Sequence, residues 1–250
     1  MTIEYKKDGS RWHRWDLHLH GPGTKLANGY GDASEENLRT YLEVLEGSDV
    51  HAFGITDYFS FDSYLALSAE YARLYPKGEK LFIPNCEFRL TETVSSDGRS
   101  VHTHILIDPA LASEAKLRTL LSDLHTHKTR EGLRLRCSEL TSREEYEQAT
   151  ISLSDLQTAL KKVFPDETAY MIVTAAGNDG LRGVDTKSAR SKSISDELDK
   201  ASHAFFGSDK NTGYFLNTDR YEDGSPSEMK PVYSGSDAHA MADLGRLSGD

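Results

Sequence analysis

The chain has 250 residues, with 40 acidic side chains against 29 Lys and Arg and a formal net charge of −11. That length supports one large domain or two small ones, and a core that needs no disulfide. So acidic a balance excludes a broad, non-specific nucleic-acid footprint, though not a local basic patch. With 37% hydrophobic residues and a mean hydropathy of −0.57, the composition is that of a soluble globular protein. No apolar run nears the ~18 residues of a membrane span, and Met1–Asp8 is too polar for a signal peptide. The expectation is a cytoplasmic protein with no membrane partner. Cys86 and Cys137 stand far apart in no C-x-x-C pattern, as reduced thiols do.

Short β-branched or aromatic runs predict strands at Arg14–Leu19, His51–Thr56, Lys80–Cys86, Val101–Ile107, Ala169–Ala175, Tyr214–Asn217 and Pro231–Gly235. Between them, Ser34 can cap a helix running through Glu46, with Leu38, Leu42 and Leu45 on one face. Asp62–Leu74 and Leu111–Arg130 read as helices. Thr141–Glu144 has capping-box form before a short helix, and a further helix runs from Ser152/Ser154 to Val163. The Gly-rich stretch Gly21–Asp32 and the basic stretch Gly177–Lys192 read as loops, and Glu92–Ser100 as a hairpin. Seven strands alternating with helices predict one α/β domain over residues 1–250, a parallel barrel or a doubly wound sheet. The chain ends at Gly249-Asp250 with no closing helix, as the first domain of a longer protein would.

Residues i and i+2 of a strand share a face, so His18 and His20 project together, with Asp16 on the same side as a ligand or as a partner that orients an imidazole. Asp237 and His239 repeat the spacing, as do His102 and His104. Asp57 and Glu87 each end an apolar strand, where packing explains an acid poorly. A single H-x-H pair is weak evidence for a metal. His125 and His127 fall in the Leu111–Arg130 helix, where i and i+2 diverge, and read as solvated. The signal is the coincidence of acids and imidazoles at five strand ends.

In order along the chain, His18/His20, Thr56-Asp57-Tyr58, Glu87, His104 (or His102) and Asp237/His239 resemble the motifs of the PHP (polymerase and histidinol phosphatase) superfamily. The opening Arg11-Trp12-His13-Arg14-Trp15-Asp16-Leu17-His18-Leu19-His20-Gly21-Pro22-Gly23-Thr24 and the closing Gly235-Ser236-Asp237-Ala238-His239 are similar to the amino-terminal PHP domain of TrlF-like proteins, which an AAA/SMC-like ATPase follows. The resemblance implies a distorted (β/α)7 barrel of PHP type with divalent metals, Zn, Mn or Fe, at its rim. It implies metal ligands at His18, His20, Glu87, His104, Asp237 and His239, with Glu87 bridging toward His104. Tyr58 stands where that family has a histidine, as do Thr24-Lys25-Leu26 after the H-x-H pair and Ala175-Ala176-Gly177-Asn178 after the fifth strand. One or two ions are therefore expected rather than three.

The implied activity is metal-assisted hydrolysis of a phosphate ester, nucleic acid included, beside a carboxy-terminal ATPase of the same protein and in an anti-phage setting. Asp57, His239 and Asp16 are the catalytic candidates. Tyr58, Asn178, Arg182, Lys187 and Arg190 are candidates for holding the substrate phosphate. Two rival readings stand beside it: a PHP-like domain that binds metal for structure or docking without turnover, and a small-molecule phosphatase of histidinol-phosphatase type. Oligomeric state is left open.

Overall fold

The computed structural model describes residues 12–177, 180–181 and 184–245. Strands β1 (Arg14–His20), β2 (Val50–Tyr58) and β3 (Leu81–Thr93) are parallel neighbours. A hairpin then sends β4 (Ser100–Ile107) back antiparallel to β3. β7 (Tyr170–Ala175) pairs antiparallel to β4, and β8 (Ala204–Phe206) and β9 (Val232–Tyr233) follow in parallel. The sheet order is β1-β2-β3-β4-β7-β8-β9. Beyond β9 the chain returns to β1 through a parallel bridge between Leu19 and Ala238, with His20 N donating to Ala238 O at 3.0 Å and Asp237 N donating to His18 O at 2.8 Å. The seven strands thus form a nearly closed, distorted α/β barrel. It is not the all-parallel one expected, because β4 runs against both its neighbours.

Two apolar layers hold the sheet. Helices α1 (Glu35–Gly47), α2 (Asp62–Leu74), α3 (Glu114–Asp123) and α5 (Leu153–Val163) press Tyr41, Leu42, Leu45, Leu67, Leu117, Leu120, Leu156 and Leu160 onto the outer face. Inside, Leu17, Leu106, Val173, Ala204 and Phe206 fill the barrel. Ser34 caps α1 as expected, accepting from Asn37 N, and the short helix α4 (Arg143–Gln148) opens on a Ser142–Glu145 capping box.

Three expectations fail for local reasons. Leu111–Arg130 is not one helix. α3 stops at Asp123, and β5 (His125–Arg130) pairs with β6 (Leu133–Arg136) in a separate hairpin. Glu131 and Gly132, with φ of 52° and 81°, make the two-residue turn that such a hairpin requires. His125 and His127 are therefore on a strand, though exposed as read. Tyr214–Asn217 is not a strand. It falls on the end of α7 (Asp209–Phe215), which opens with a Ser208–Asn211 capping box. The sixth barrel strand is the three-residue β8, too short to show a period. Finally, the loop expected through Lys192 gives way at Ala189 to α6 (Ala189–Ala201).

Candidate metal centre

The centre begins with an irregularity in β1. Its pairing with β2 slips between Asp16 and Leu19. Leu17 and His18, consecutive residues, both turn inward: Leu17 joins the interior cluster, and the His18 ring lies 5.1 Å from that of Phe206. Leu19 turns out to the helices and His20 turns in. The bulge brings the Leu17 carbonyl over Gly54 of β2, where a Cβ would lie 2.0 Å from it, so only glycine fits. It also takes Asp16 out of the face shared by His18 and His20. The buried Asp16 carboxylate instead accepts from the Ser236 and His18 amides at 3.0 and 3.3 Å, pinning the 235–239 turn to β1.

That turn carries Asp237 with φ of 50°, a left-handed backbone rarely adopted by residues other than glycine, Asn and Asp. Gly235 lets it pass close to β1: a Cβ there would meet that of His18 at 2.5 Å. From β3 comes Glu87. Because β4 runs backwards, its beginning rather than its end delivers His102 and His104 to the same rim, opposite Arg89 and Glu87.

Four donor atoms converge. His18 Nε2 lies 3.1 Å from Asp237 Oδ1 and 3.7 Å from Glu87 Oε2. His20 Nε2 lies 3.5 Å from Glu87 Oε2 and 3.7 Å from Asp237 Oδ1. His104 forms a second grouping with His18 and Glu87, the ligand atoms lying within 4.8 Å of one another. Yet His18 Nε2, His20 Nε2 and Glu87 Oε2 are buried without an aligned hydrogen bond, so they face a common point rather than one another. Donors on a tetrahedral cation at ~2.0–2.1 Å lie about 3.3–3.4 Å apart, and imidazole with carboxylate suits Zn and its neighbours. The residues fit a divalent ion. Asp237 is exposed, so the centre opens to solvent on that side.

The surrounding charges follow from burial and proximity. Burial would discharge His18, but the carboxylates of Asp237 and Glu87 outweigh it and raise its pKa to about 10. For His20 burial dominates and lowers the pKa to about 4, and it pushes His104 down as well. Burial would raise Glu87 and Asp237, but adjacent imidazoles, His102 and His18 foremost, hold both carboxylates down.

A second tier surrounds the donors. His102 Nδ1 bonds Glu87 Oε1 at 2.6 Å. His20 Nδ1 meets Thr24 Oγ1 at 3.2 Å, and Thr24 donates onward to Asp57 Oδ1 at 3.0 Å. His104 Nδ1 meets Asn85 Oδ1 at 3.2 Å. The sequence reading missed Thr24 and Asn85. The signal for Asn85 was its place two residues before Glu87, on the same face of β3.

The remaining candidates sit elsewhere in the arrangement. Asp57 is fully buried behind the donors: it accepts from the amides of Lys25 and Tyr58 and from the hydroxyls of Thr24 and Ser63, so it fastens the loop after β1 to the end of β2 and the start of α2. His239 is not among the converging donors. Its Nδ1 lies 2.8 Å from the Asp237 carbonyl and its Nε2 3.3 Å from the Tyr58 hydroxyl, while its ring stacks on His20 at 4.0 Å. Tyr58 stacks on His20 at 4.8 Å. Lys187 and Arg190 are exposed, and Lys187 lines a mixed-charge groove with Lys192, Lys200, Glu222 and Asp223 that shares no residue with the centre. Asn178 and Arg182 lie outside the described residues.

Neither a protein-family model nor a curated protein matches the sequence. Among solved structures the chain is similar to a protein of Bifidobacterium adolescentis described as a metal-dependent phosphoesterase. Identity is 14% over 96% of this chain and 92% of the other, with a TM-score of 0.43. It is also similar to an amidohydrolase of Chromobacterium violaceum with bound sulfate and no metal, at 17% identity over 94% and 91% of the two chains and a TM-score of 0.46. Likeness this distant says nothing about chemistry. Among the described residues no helix is long and apolar enough to cross a membrane.

Proposed function

We propose that this chain is a divalent-metal-dependent hydrolase acting on phosphate esters, with one or two ions held at the barrel rim. The observation that carries it is the convergence of three buried, unpartnered donors, His18 Nε2, His20 Nε2 and Glu87 Oε2, with the exposed Asp237 carboxylate. An uncompensated arrangement of this kind is costly unless something cationic completes it. A bound divalent ion would polarise a phosphoryl oxygen and bring the pKa of a coordinated water toward neutrality. The chain's own part is to hold four donors at fixed spacing, to exclude water on the barrel side with Phe206, and to leave the Asp237 side open for substrate. Tyr58, its hydroxyl engaged with His239 Nε2 at 3.3 Å, walls the centre beside His20. The order of these residues along the chain, and the PHP resemblance they bear, support phosphate esters over other substrates.

A narrower reading, a nuclease module joined to an ATPase in anti-phage defence, is supported only by the resemblance of residues 11–24 and 235–239. The test is to purify the protein, measure bound metal, and assay generic phosphomonoesters and phosphodiesters with added Mn²⁺. Hydrolysis should fall at least a hundredfold in His20→Ala and Asp237→Ala. Equal activity in wild type and both variants would sink the proposal. Metal binding without turnover would leave the structural role instead. A preference for the diester or the monoester separates nuclease from small-molecule phosphatase.

A further inference from the structure

We infer that Thr24 and Asn85 are positioning residues: each fixes the tautomer of one histidine, of His20 and His104 respectively, so that Nε2 presents a lone pair to the centre. This rests on reading the centre as a metal site.

For His20 the chain of donors has one solution. The Asp57 carboxylate accepts from two backbone amides, Lys25 and Tyr58, each at 2.8 Å, and so stands as an acceptor. The single hydroxyl proton of Thr24 goes to it at 3.0 Å. Only lone pairs of Thr24 Oγ1 remain toward His20 Nδ1, 3.2 Å away, so that nitrogen carries the proton. His20 Nε2 is then a bare acceptor facing two further acceptors, Glu87 Oε2 at 3.5 Å and Asp237 Oδ1 at 3.7 Å. Three acceptors around one point repel unless positive charge lies among them, a metal ion or, in its absence, the proton on His18.

For His104 the orientation of the Asn85 amide settles the matter. Asn85 Nδ2 lies 2.9 Å from Leu17 O, which can only accept. Its second proton reaches Thr56 Oγ1 at 2.9 Å, because the Thr56 hydroxyl proton is given to Gly54 O. The amide oxygen therefore faces His104, and His104 Nδ1 must donate to it at 3.2 Å. Nε2 of His104 is left unprotonated on the side shared with His18 and Glu87. The same amide holds the carbonyl of the β1 bulge, so Asn85 ties the geometry of His18 to that of His104. Ligand histidines commonly anchor their second nitrogen in this way, and losing the anchor weakens metal affinity roughly 10–100-fold.

The experiment has two readouts, neither of them activity. Long-range ¹H–¹⁵N spectra of the metal-free full chain should show His20 and His104 protonated at Nδ1. Competition against a chromophoric chelator should show Zn²⁺ affinity falling about 10–100-fold in Thr24→Val and returning to within about threefold of wild type in Thr24→Ser. Asp57 keeps its other three donors in Thr24→Val, so both variants should fold; the metal-free melting temperature should drop in Thr24→Val, where the buried His20 Nδ1–H loses its acceptor, and recover in Thr24→Ser. Asn85→Leu should shift the His104 tautomer; should it not fold, the wild-type spectrum and the Thr24 pair still decide. An Nε2–H signal at either histidine in the wild type, or unchanged affinity in T24V, overturns the inference. A wild type that binds no Zn²⁺ while showing both expected tautomers overturns the metal reading instead.

Discussion

Two buried clusters of charge lie in this barrel, and they are built on opposite plans. Near α6, Asp199 receives Arg220 at 2.9 Å, Lys230 at 3.1 Å and the Tyr221 hydroxyl at 3.2 Å. The other Arg220 protons go to the carbonyls of Phe215, Asn217 and Glu228, and Lys230 also donates to Asp199 O. Acceptors answer donors, and the cluster ties the segment after α7 to α6. At the rim, His18, His20 and Glu87 point buried atoms at one another's neighbourhood and satisfy none of them. A self-satisfied cluster is fastening; one whose donors converge without satisfying one another is a site.

The largest effect expected from this contrast is at Asp199. Asp199→Ala leaves two cations buried without their carboxylate and should lower stability by about 3–5 kcal/mol, read as a shift in the denaturant midpoint of the metal-free protein. Asp237→Asn should do the reverse. Asn tolerates the left-handed backbone at that position and the side chain is exposed, so the metal-free protein should still fold, giving up only the carboxylate's contact with His18. What should vanish is stabilisation by metal. In the wild type, free Zn²⁺ or Mn²⁺ at a hundred times its Kd should add about 2.7 kcal/mol, measured as a rise in the melting temperature. Equal stabilisation of D237N would break the distinction between the two clusters.

Next in size is a proton. With its pKa raised to about 10, His18 is charged at neutral pH in the metal-free centre. A cation must displace that proton, so metal affinity should rise with pH between 6.5 and 9, by roughly tenfold per unit, about 1.4 kcal/mol. The metal-free protein should show the opposite sense: the His18 contribution is full below its unfolded pKa of ~6.5 and is lost as pH rises through the folded value. Titration calorimetry in buffers of differing ionisation enthalpy counts the protons released. A count of zero would mean that the centre is not proton-filled.

Much of this was legible in the sequence, and the illegible part has a physical pattern. His18, His20, Glu87 and Asp237 stood out because period-two alternation gives ionisable groups at strand ends no role in packing. Asp16 was misjudged because the bulge resets that alternation. The only trace of the bulge was Gly54 on the neighbouring strand, and a glycine does not announce which carbonyl approaches it. Asp57 looked catalytic from its position and sits among donors from the loop after β1, from Tyr58 and from α2. Thr24 and Asn85 act through other residues, and such roles exist only once β1, β2, β3 and β4 are laid side by side. β8 has three residues, too few for any period to show.

The smallest effect concerns Tyr58, and it probes how sharply the centre is bounded. Its hydroxyl lies 3.3 Å from His239 Nε2, and the His239 Nδ1 proton points to the Asp237 carbonyl, so Nε2 is the acceptor. Tyr58→Phe removes that donor while keeping the ring on His20. The lost hydrogen bond is worth about 1 kcal/mol, and Zn²⁺ affinity should stay within about twofold, because no converging donor moves. Tyr58→His tests the boundary from the other side. It places a second imidazole beside His239, where the family resembled here has one, and should raise the measured zinc content above that of the wild type. If Y58F instead weakens the first ion tenfold or more, then His239 belongs to the centre after all, and the line drawn between the converging donors and the ring stacked upon them is in the wrong place.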